Sequence, residues 1–214
     1  MTRPRTVRDD SDGRWAAVDV LRAGGIVALP TDTVYGIGCE LHAPRGIERL
    51  FEAKGRPGDR AIMLLLADEE QATGTGVMGP AALTLADSFW PGGLTLVVLQ
   101  QPGSDLPVAL TGGAPTIGLR VPDHPCPRAL AKAVGPLPVT SANRTGMPEA
   151  PTASAIADQL GSAVDLILDG GPAHGGPPST VVDCTTEPSR ILRAGSIDPD
   201  AVGRILESVG LGLA

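Results

Sequence analysis

Aromatic residues are nearly missing from this chain: two Trp, one Tyr and two Phe make up 2% of 214 residues. A protein that holds nucleic acid by stacking bases needs more such rings. Positive charge is also in the minority. Lys and Arg number 17 against 24 Asp and Glu, a formal net charge of -7. That balance argues against a broad electrostatic grip on phosphate backbones, although a local basic cleft leaves room for a weak contact with RNA. Cysteines are few and far apart, at Cys39, Cys126 and Cys184, with no C-x-x-C spacing. Neither a zinc knuckle nor a redox pair is indicated, and buried, reduced thiols of a cytoplasmic protein are expected. His42, His124 and His174 are equally scattered, so no metal site is read from them. The longest apolar run, Ala61 to Ala67, is too short to cross a bilayer. Met1 to Gly13 mixes Arg3, Arg5 and Arg8 with Asp9, Asp10 and Asp12 and has no apolar stretch of the kind a signal peptide carries. It reads as a flexible tail over residues 1–13, and no membrane partner is expected.

Gly and Pro, by contrast, are plentiful, at 28 and 21, and interrupt apolar runs at many places. Tight loops between short elements follow from that. Helices are read at Arg14 to Ala23 (core face Trp15, Val18, Leu21), around Ile47, Leu50 and Phe51, at Pro80 to Trp90 (Leu83, Leu85, Phe89), at Arg128 to Val134, from a Thr152 cap to Leu160, and after Asp198 with Val202, Ile205, Leu206 and Val209. Strands are read at Ile26 to Leu29, Ala61 to Leu66, Leu94 to Leu99, Thr116 to Val121, Leu137 to Thr140, Val164 to Leu168 and Thr180 to Cys184, with an edge strand at Ile191-Leu192. Apolar strands interleaved with helices predict an α/β fold, a mixed parallel and antiparallel sheet with helices packed on it. No repeat or composition shift marks a linker, so residues 14–210 are read as one domain.

Some motifs mislead. Gly74 to Gly79 fits G-x-G-x-x-G, but no ribose-binding acid lies about 20 residues on, and the stretch reads as a flexible loop. Ser141-Ala142-Asn143 has the outline of the β-lactamase Ser-Asp-Asn element without its companions. Other stretches point to chemistry. Lys54, Arg56 and Arg60 crowd seven residues with one acid, Asp59, and a polyanionic ligand would relieve their repulsion. A solvated loop is the competing account. The polar run Thr31-Asp32-Thr33-Val34-Tyr35 follows a strand end, where α/β sheets bind ligands, though Asp32 and Thr33 could simply satisfy a turn. Arg120 alternates with Leu119 and Val121 and needs a partner if buried, either a ligand carboxylate or a structural acid. Gly170 to Thr180 is a Gly-rich loop whose N–H groups could cradle an anion or do nothing of the kind.

Six segments then fall in a telling order: Thr31-Asp32-Thr33-Val34-Tyr35-Gly36, Lys54-Gly55-Arg56-Pro57, Phe89-Trp90-Pro91-Gly92, Arg120-Val121-Pro122, Ser141-Ala142-Asn143 and Ser179-Thr180-Val181-Val182-Asp183. Each is weak alone; as an ordered set the chain resembles the YrdC-like threonylcarbamoyl-AMP synthases, from about Trp15 to Ile197. The resemblance implies the YrdC-like fold with a central cleft. It implies a nucleotidyl transfer joining L-threonine, bicarbonate and ATP, with pyrophosphate released. The product would feed a downstream transferase complex that modifies the adenosine beside the tRNA anticodon. By the same likeness Lys54, Arg56, Ser141 and Asn143 form the catalytic quartet. Lys54, Arg56, Arg60, Thr116, Asn143 and Arg193 would bind ATP, and Thr33, Arg120, Ser141 and Ser179 would bind threonine. Mg²⁺ would ride mainly on the ATP phosphates, with no protein cage.

Departures from the family pattern are Ala61 after Arg60, Gly93 and Ala194 where Pro is common, Thr145 for a frequent Ser, and no His near Leu65. The sequence stops at Ala214, so the short form is expected, without the added domain of longer members and with the Met1 to Gly13 tail as a candidate lid. Two other readings compete: an RNA-binding module without catalysis, and a carbamoyl-adenylate-forming unit like those of hydrogenase maturation.

Overall fold

Strand alternation decides which side of this protein is open. The structure, a computed structural model, describes residues 3–55, 62–173 and 175–214. Among the described residues eleven strands make one sheet. In chain order they are β1 (Arg5–Arg8), β2 (Val27–Leu29), β3 (Gly36–Gly38), β4 (Met63–Leu65), β5 (Gly76–Val77), β6 (Leu94–Gln100), β7 (Thr116–Arg120), β8 (Leu137–Ser141), β9 (Leu166–Asp169), β10 (Thr180–Asp183) and β11 (Arg190–Arg193). Their spatial order is β1-β9-β2-β3-β8-β4-β7-β6-β10-β11, with β5 paired to β6. Parallel pairs (β1 with β9, β9 with β2, β4 with β7, β6 with β10) mix with antiparallel ones.

Eight helices accompany them among the described residues: α1 (Ser11–Arg22), α2 (Gly46–Lys54), α3 (Glu69–Thr75), α4 (Pro80–Phe89), α5 (Val108–Thr111), α6 (Pro125–Val134), α7 (Ala153–Leu160) and α8 (Pro199–Ser208). One face of the sheet is covered across its width. Ala28, Ile37, Leu64, Leu96, Leu119, Ile167 and Val182 pack there against Leu50 of α2, Leu85 of α4, Ile156 of α7 and Leu206 of α8. The other face is covered over one half only. There Val27, Leu29, Leu65, Val139, Leu166 and Leu168 meet Ala17, Val18 and Leu21 of α1 and Leu130 and Ala131 of α6. Beyond α6 the same face carries Thr95, Thr116, Gly118, Arg120, Ser179 and Val181, which alternate with the buried residues of β6, β7 and β10 and line an open cleft.

Several expectations need correction. Residues 5–8 are not a tail or a lid: β1 docks on the sheet edge beside β9, and Asp9 N–H donates to Asp169 O at 2.9 Å. The acids after it have local work. Asp10 caps α1 by accepting from Gly13 N–H at 2.9 Å, and Asp9 takes a two-pronged ion pair from Arg14, at 2.6 and 3.0 Å. Helix α1 therefore starts at Ser11 and not Arg14. Trp15, expected in the core, is 60% exposed, because the buried stripe of α1 runs through Ala17, Val18 and Leu21. Leu83 and Val209 are likewise exposed. The stretch read as a loop at Gly74 to Gly79 instead ends α3 and forms β5 against β6. Ala61 lies outside the described residues. The other strands and helices read from the sequence stand where the pattern places them, within a residue or a few at each end, while β3, α3 and α5 were not read from it.

Candidate active site

The cleft encloses about 480 Å³ and is walled by loops that leave the strand ends. Thr33, Lys54, Thr116, Arg120, Ser141, Asn143, Ser179 and Arg193 all line it. Residues 88 positions apart in sequence, such as Asp32 and Arg120, are brought within hydrogen-bond distance by the order of the strands. Arg56 and Arg60 lie outside the described residues.

At one wall, α2 ends with Lys54, which is only 5% exposed. Its Nζ donates to Ser141 O at 2.7 Å, Asn143 O at 2.9 Å, and to Ser141 Oγ and Asn143 Oδ1 at 3.1 Å each. Ser141 Oγ donates to Asn143 Oδ1 at 2.7 Å, and Asn143 Nδ2 donates to Met147 O at 2.6 Å. Thr145 N–H closes the loop onto Lys54 O at 3.0 Å, and Gly146 turns the chain with φ +82°. The ammonium thus gathers four oxygens from the end of β8, and in this geometry it orients Ser141 and Asn143.

The opposite wall is built on Arg120, 3% exposed at the end of β7. Its Nε donates to Gly92 O at 2.9 Å, Nη1 to Thr33 Oγ1 at 3.0 Å and Nη2 to Asp32 Oδ1 at 2.6 Å. Of the two partners the sequence leaves open for Arg120, a structural acid is therefore present. Three of the five guanidinium N–H groups are engaged, which leaves two for a ligand. Burial pushes the Arg120 pKa down from its ordinary value, Asp32 pulls it back up, and Arg193 adds repulsion. Arg193, on β11, donates to Ser179 O at 2.8 and 3.1 Å and to Ser179 Oγ at 3.1 Å. Burial lowers its pKa too, and the carboxylate of Glu149 opposes that shift. Glu149 is the one carboxylate among the described residues that line the cleft. Among the described residues no three His, Cys, Asp or Glu converge as a metal cage.

Two features were not singled out in the sequence. Thr95 Oγ1 lies 2.8 Å from Ser179 Oγ and donates to Met63 Sδ at 3.5 Å. A lone hydroxyl in the apolar strand Leu94 to Leu99 was the available signal. Glu149, in a Pro-flanked loop, carried none. The first N–H groups of the Gly-rich loop are spent within the protein: Gly170 N–H donates to the Tyr35 hydroxyl, Gly171 N–H to Asp169 Oδ1 and Ala173 N–H to Pro151 O. The Tyr35 hydroxyl also donates to Gly171 O at 2.7 Å, so Tyr35 anchors that loop.

The family model for Sua5, YciO and YrdC proteins, described as telomere recombination, matches residues 19–195. The threonylcarbamoyl-AMP synthase of Bacillus subtilis is 36% identical over 192 residues, 89% of this chain and 55% of that protein. The putative threonylcarbamoyl-AMP synthase of Mycobacterium tuberculosis is 37% identical over 197 residues, covering 92% of this chain and 90% of that one. Sua5 of Pyrococcus abyssi, solved in complex with L-threonine, superposes with a TM-score of 0.87 at 32% identity, covering 100% of this chain and 62% of that chain. The chain thus spans about half the length of the Bacillus relative and nearly all of the mycobacterial one. On the family match and these relatives, the chain belongs to the Sua5/YciO/YrdC family.

Proposed function

We propose that the protein synthesises L-threonylcarbamoyl-AMP from L-threonine, bicarbonate and ATP, for the threonylcarbamoyladenosine modification of tRNA next to the anticodon. The observation that carries this reading is one cleft joining Lys54, Ser141 and Asn143 to Arg120, Thr33, Ser179 and Arg193, in a chain similar to named synthases.

In the first step the threonine amine lone pair forms an N–C bond to the bicarbonate carbon, and water leaves, giving an N-carboxylate. An oxygen of that carboxylate then attacks the α-phosphorus, and the bond to the bridging oxygen of pyrophosphate breaks. Negative charge grows on phosphorus oxygens as this happens, so fixed cations lower the barrier. Arg193 and the segment after Lys54, with Arg56 and Arg60, supply those charges. Lys54 holds Ser141 and Asn143 in place. Arg120 presents its two remaining N–H groups to the threonine carboxylate, a geometry its planar fork suits. No side-chain nucleophile is needed, since the carbamate is itself one, and catalysis is positioning plus electrostatics. Mg²⁺, bound through the phosphates, would shield their charge. The labile product passes to a downstream threonylcarbamoyl transferase complex.

The test is pyrophosphate release with each substrate omitted in turn. Release is expected only when threonine, bicarbonate and ATP are all present, and Lys54→Ala should cut it on the order of 10²-fold while the protein stays folded. Release that continues without threonine, or that is supported by carbamoyl phosphate in its place, sinks the reading in favour of a carbamoyl-adenylate unit.

A further inference from the structure

The cleft contains a threonine whose hydroxyl proton can be placed by counting, and the count reaches the reacting nitrogen. This inference rests on the synthesis proposed above. Thr31 Oγ1 donates to Val34 O at 2.7 Å. A backbone carbonyl only accepts, so the single proton of the Thr31 hydroxyl is spent there. Thr31 Oγ1 and Thr33 Oγ1 stand 3.1 Å apart, and the proton between them must therefore come from Thr33. Thr33 N–H also donates to Thr31 Oγ1, at 3.1 Å, which fills the second lone pair of Thr31. On its other side Thr33 Oγ1 accepts from Arg120 Nη1 at 3.0 Å. One lone pair remains on Thr33, and Thr33 lines the cleft. The hydroxyl thus offers the cleft an acceptor and no donor.

We infer that Thr31 is a positioning residue that holds the Thr33 hydroxyl in this acceptor state, and so keeps the lone pair of the substrate amine available for attack. An amino acid whose carboxylate sits on Arg120 carries its α-amine one carbon away, and an amine on the Thr33 side of the guanidinium meets this hydroxyl. A neutral amine has two N–H groups and one lone pair. An acceptor facing it takes an N–H and turns the lone pair towards the carbon that must be bonded. A donor in the same place would bind the lone pair and block that bond. Both hydroxyl polarities would hold the amine, but only one leaves it nucleophilic. Thr31, buried at 9% exposure, acts through Thr33.

The experiment compares wild type, Thr31→Val and Thr31→Ser in threonine-dependent pyrophosphate release, with thermal midpoints alongside. Val keeps the shape and removes both the acceptor and the bond to Val34; Ser keeps both. Thr31→Val is expected to lower kcat on the order of tenfold or more, with KM for ATP little changed, and Thr31→Ser to restore kcat. Equal kcat in wild type and Thr31→Val, or equal losses in Val and Ser, overturns the inference. Should Thr31→Val fail to fold, neutron diffraction from the deuterated wild-type protein decides it. A deuteron on Thr33 Oγ1 pointing at Thr31 supports the inference, and one pointing into the cleft overturns it. Wild-type protein that releases no pyrophosphate with threonine would instead defeat the proposed synthesis.

Discussion

At the scale of single residues, burial sets the chemistry of charged and titratable groups here. Lys54 and Arg120 are both nearly cut off from solvent, and each is surrounded by fixed oxygen acceptors. Such cations need not reorganise when a ligand's charge changes, which is what electrostatic catalysis requires. The thiols show the same effect in the opposite chemical sense. Burial is the first cause that pushes Cys39 and Cys184 from 9.0 up to about 12, and it raises Cys126 well above 9.0 too. A raised thiol pKa in the folded state means the native protein keeps protons that the unfolded chain loses. Stability from these groups is therefore complete below about pH 9 and declines as pH rises towards 12. All three thiols should stay unreactive towards an aromatic disulfide reagent at pH 8 until denaturant is added. Rapid labelling of any of them in the native state would contradict this account.

At the scale of elements, what the sequence made legible and what it hid divide on physical grounds. The strands β6, β7 and β10 were readable as short apolar runs, and in β7 a period of two leaves Arg120 conspicuous opposite Leu119 and Val121, whereas Ser179 was reached only through the family resemblance. Even there, the Asp32 partner of Arg120 was not legible, because strand order and not sequence spacing brings the two together. Strand β1 was hidden for a different reason: Arg-Thr-Val-Arg has one apolar residue, and it is held by backbone pairing to a strand about 160 positions away. Helix α3 was hidden because Glu69 to Thr75 has almost no apolar face. The junction of β1 and α1 yields a prediction of its own. A Cβ on Gly13 would clash with the backbone carbonyl of Arg8. Gly13→Ala should therefore push β1 off the sheet edge and lower the melting temperature by several degrees, at ~2–4 °C per kcal/mol, while pyrophosphate release at 25 °C survives. An unchanged melting curve would show that β1 adds nothing to stability.

At the scale of the whole molecule, the net charge of -7 and the cationic cleft act in opposite directions on the ATP of the proposed synthesis. Distant surface acids repel the nucleotide through solvent, and salt screens them beyond a Debye length of ~10 Å at 0.1 M. Cleft cations act at contact range and are screened less, but their attraction during approach is screened as well. The local attraction is the larger, since Lys54, Arg120 and Arg193 line the site itself. KM for ATP should thus rise as KCl goes from 50 to 500 mM, whereas KM for threonine, a zwitterion of no net charge, should move much less. Steady-state kinetics at both salt levels check this, and a parallel rise for both substrates would refute it.

The connection from β9 to β10 spans Gly170 to Ser179, ten residues, yet six strands lie between those two in the sheet. Laid flat, seven strand spacings cover ~34 Å, and eleven steps of fully stretched chain reach only ~36–40 Å. The same segment is tied to Tyr35 near its start and to Pro151 further on, so part of its reach is already committed. It works as a drawstring: a length of covalent chain sets how far the two flanks can draw apart, and the gape available to an arriving ligand is capped before any side chain has touched it.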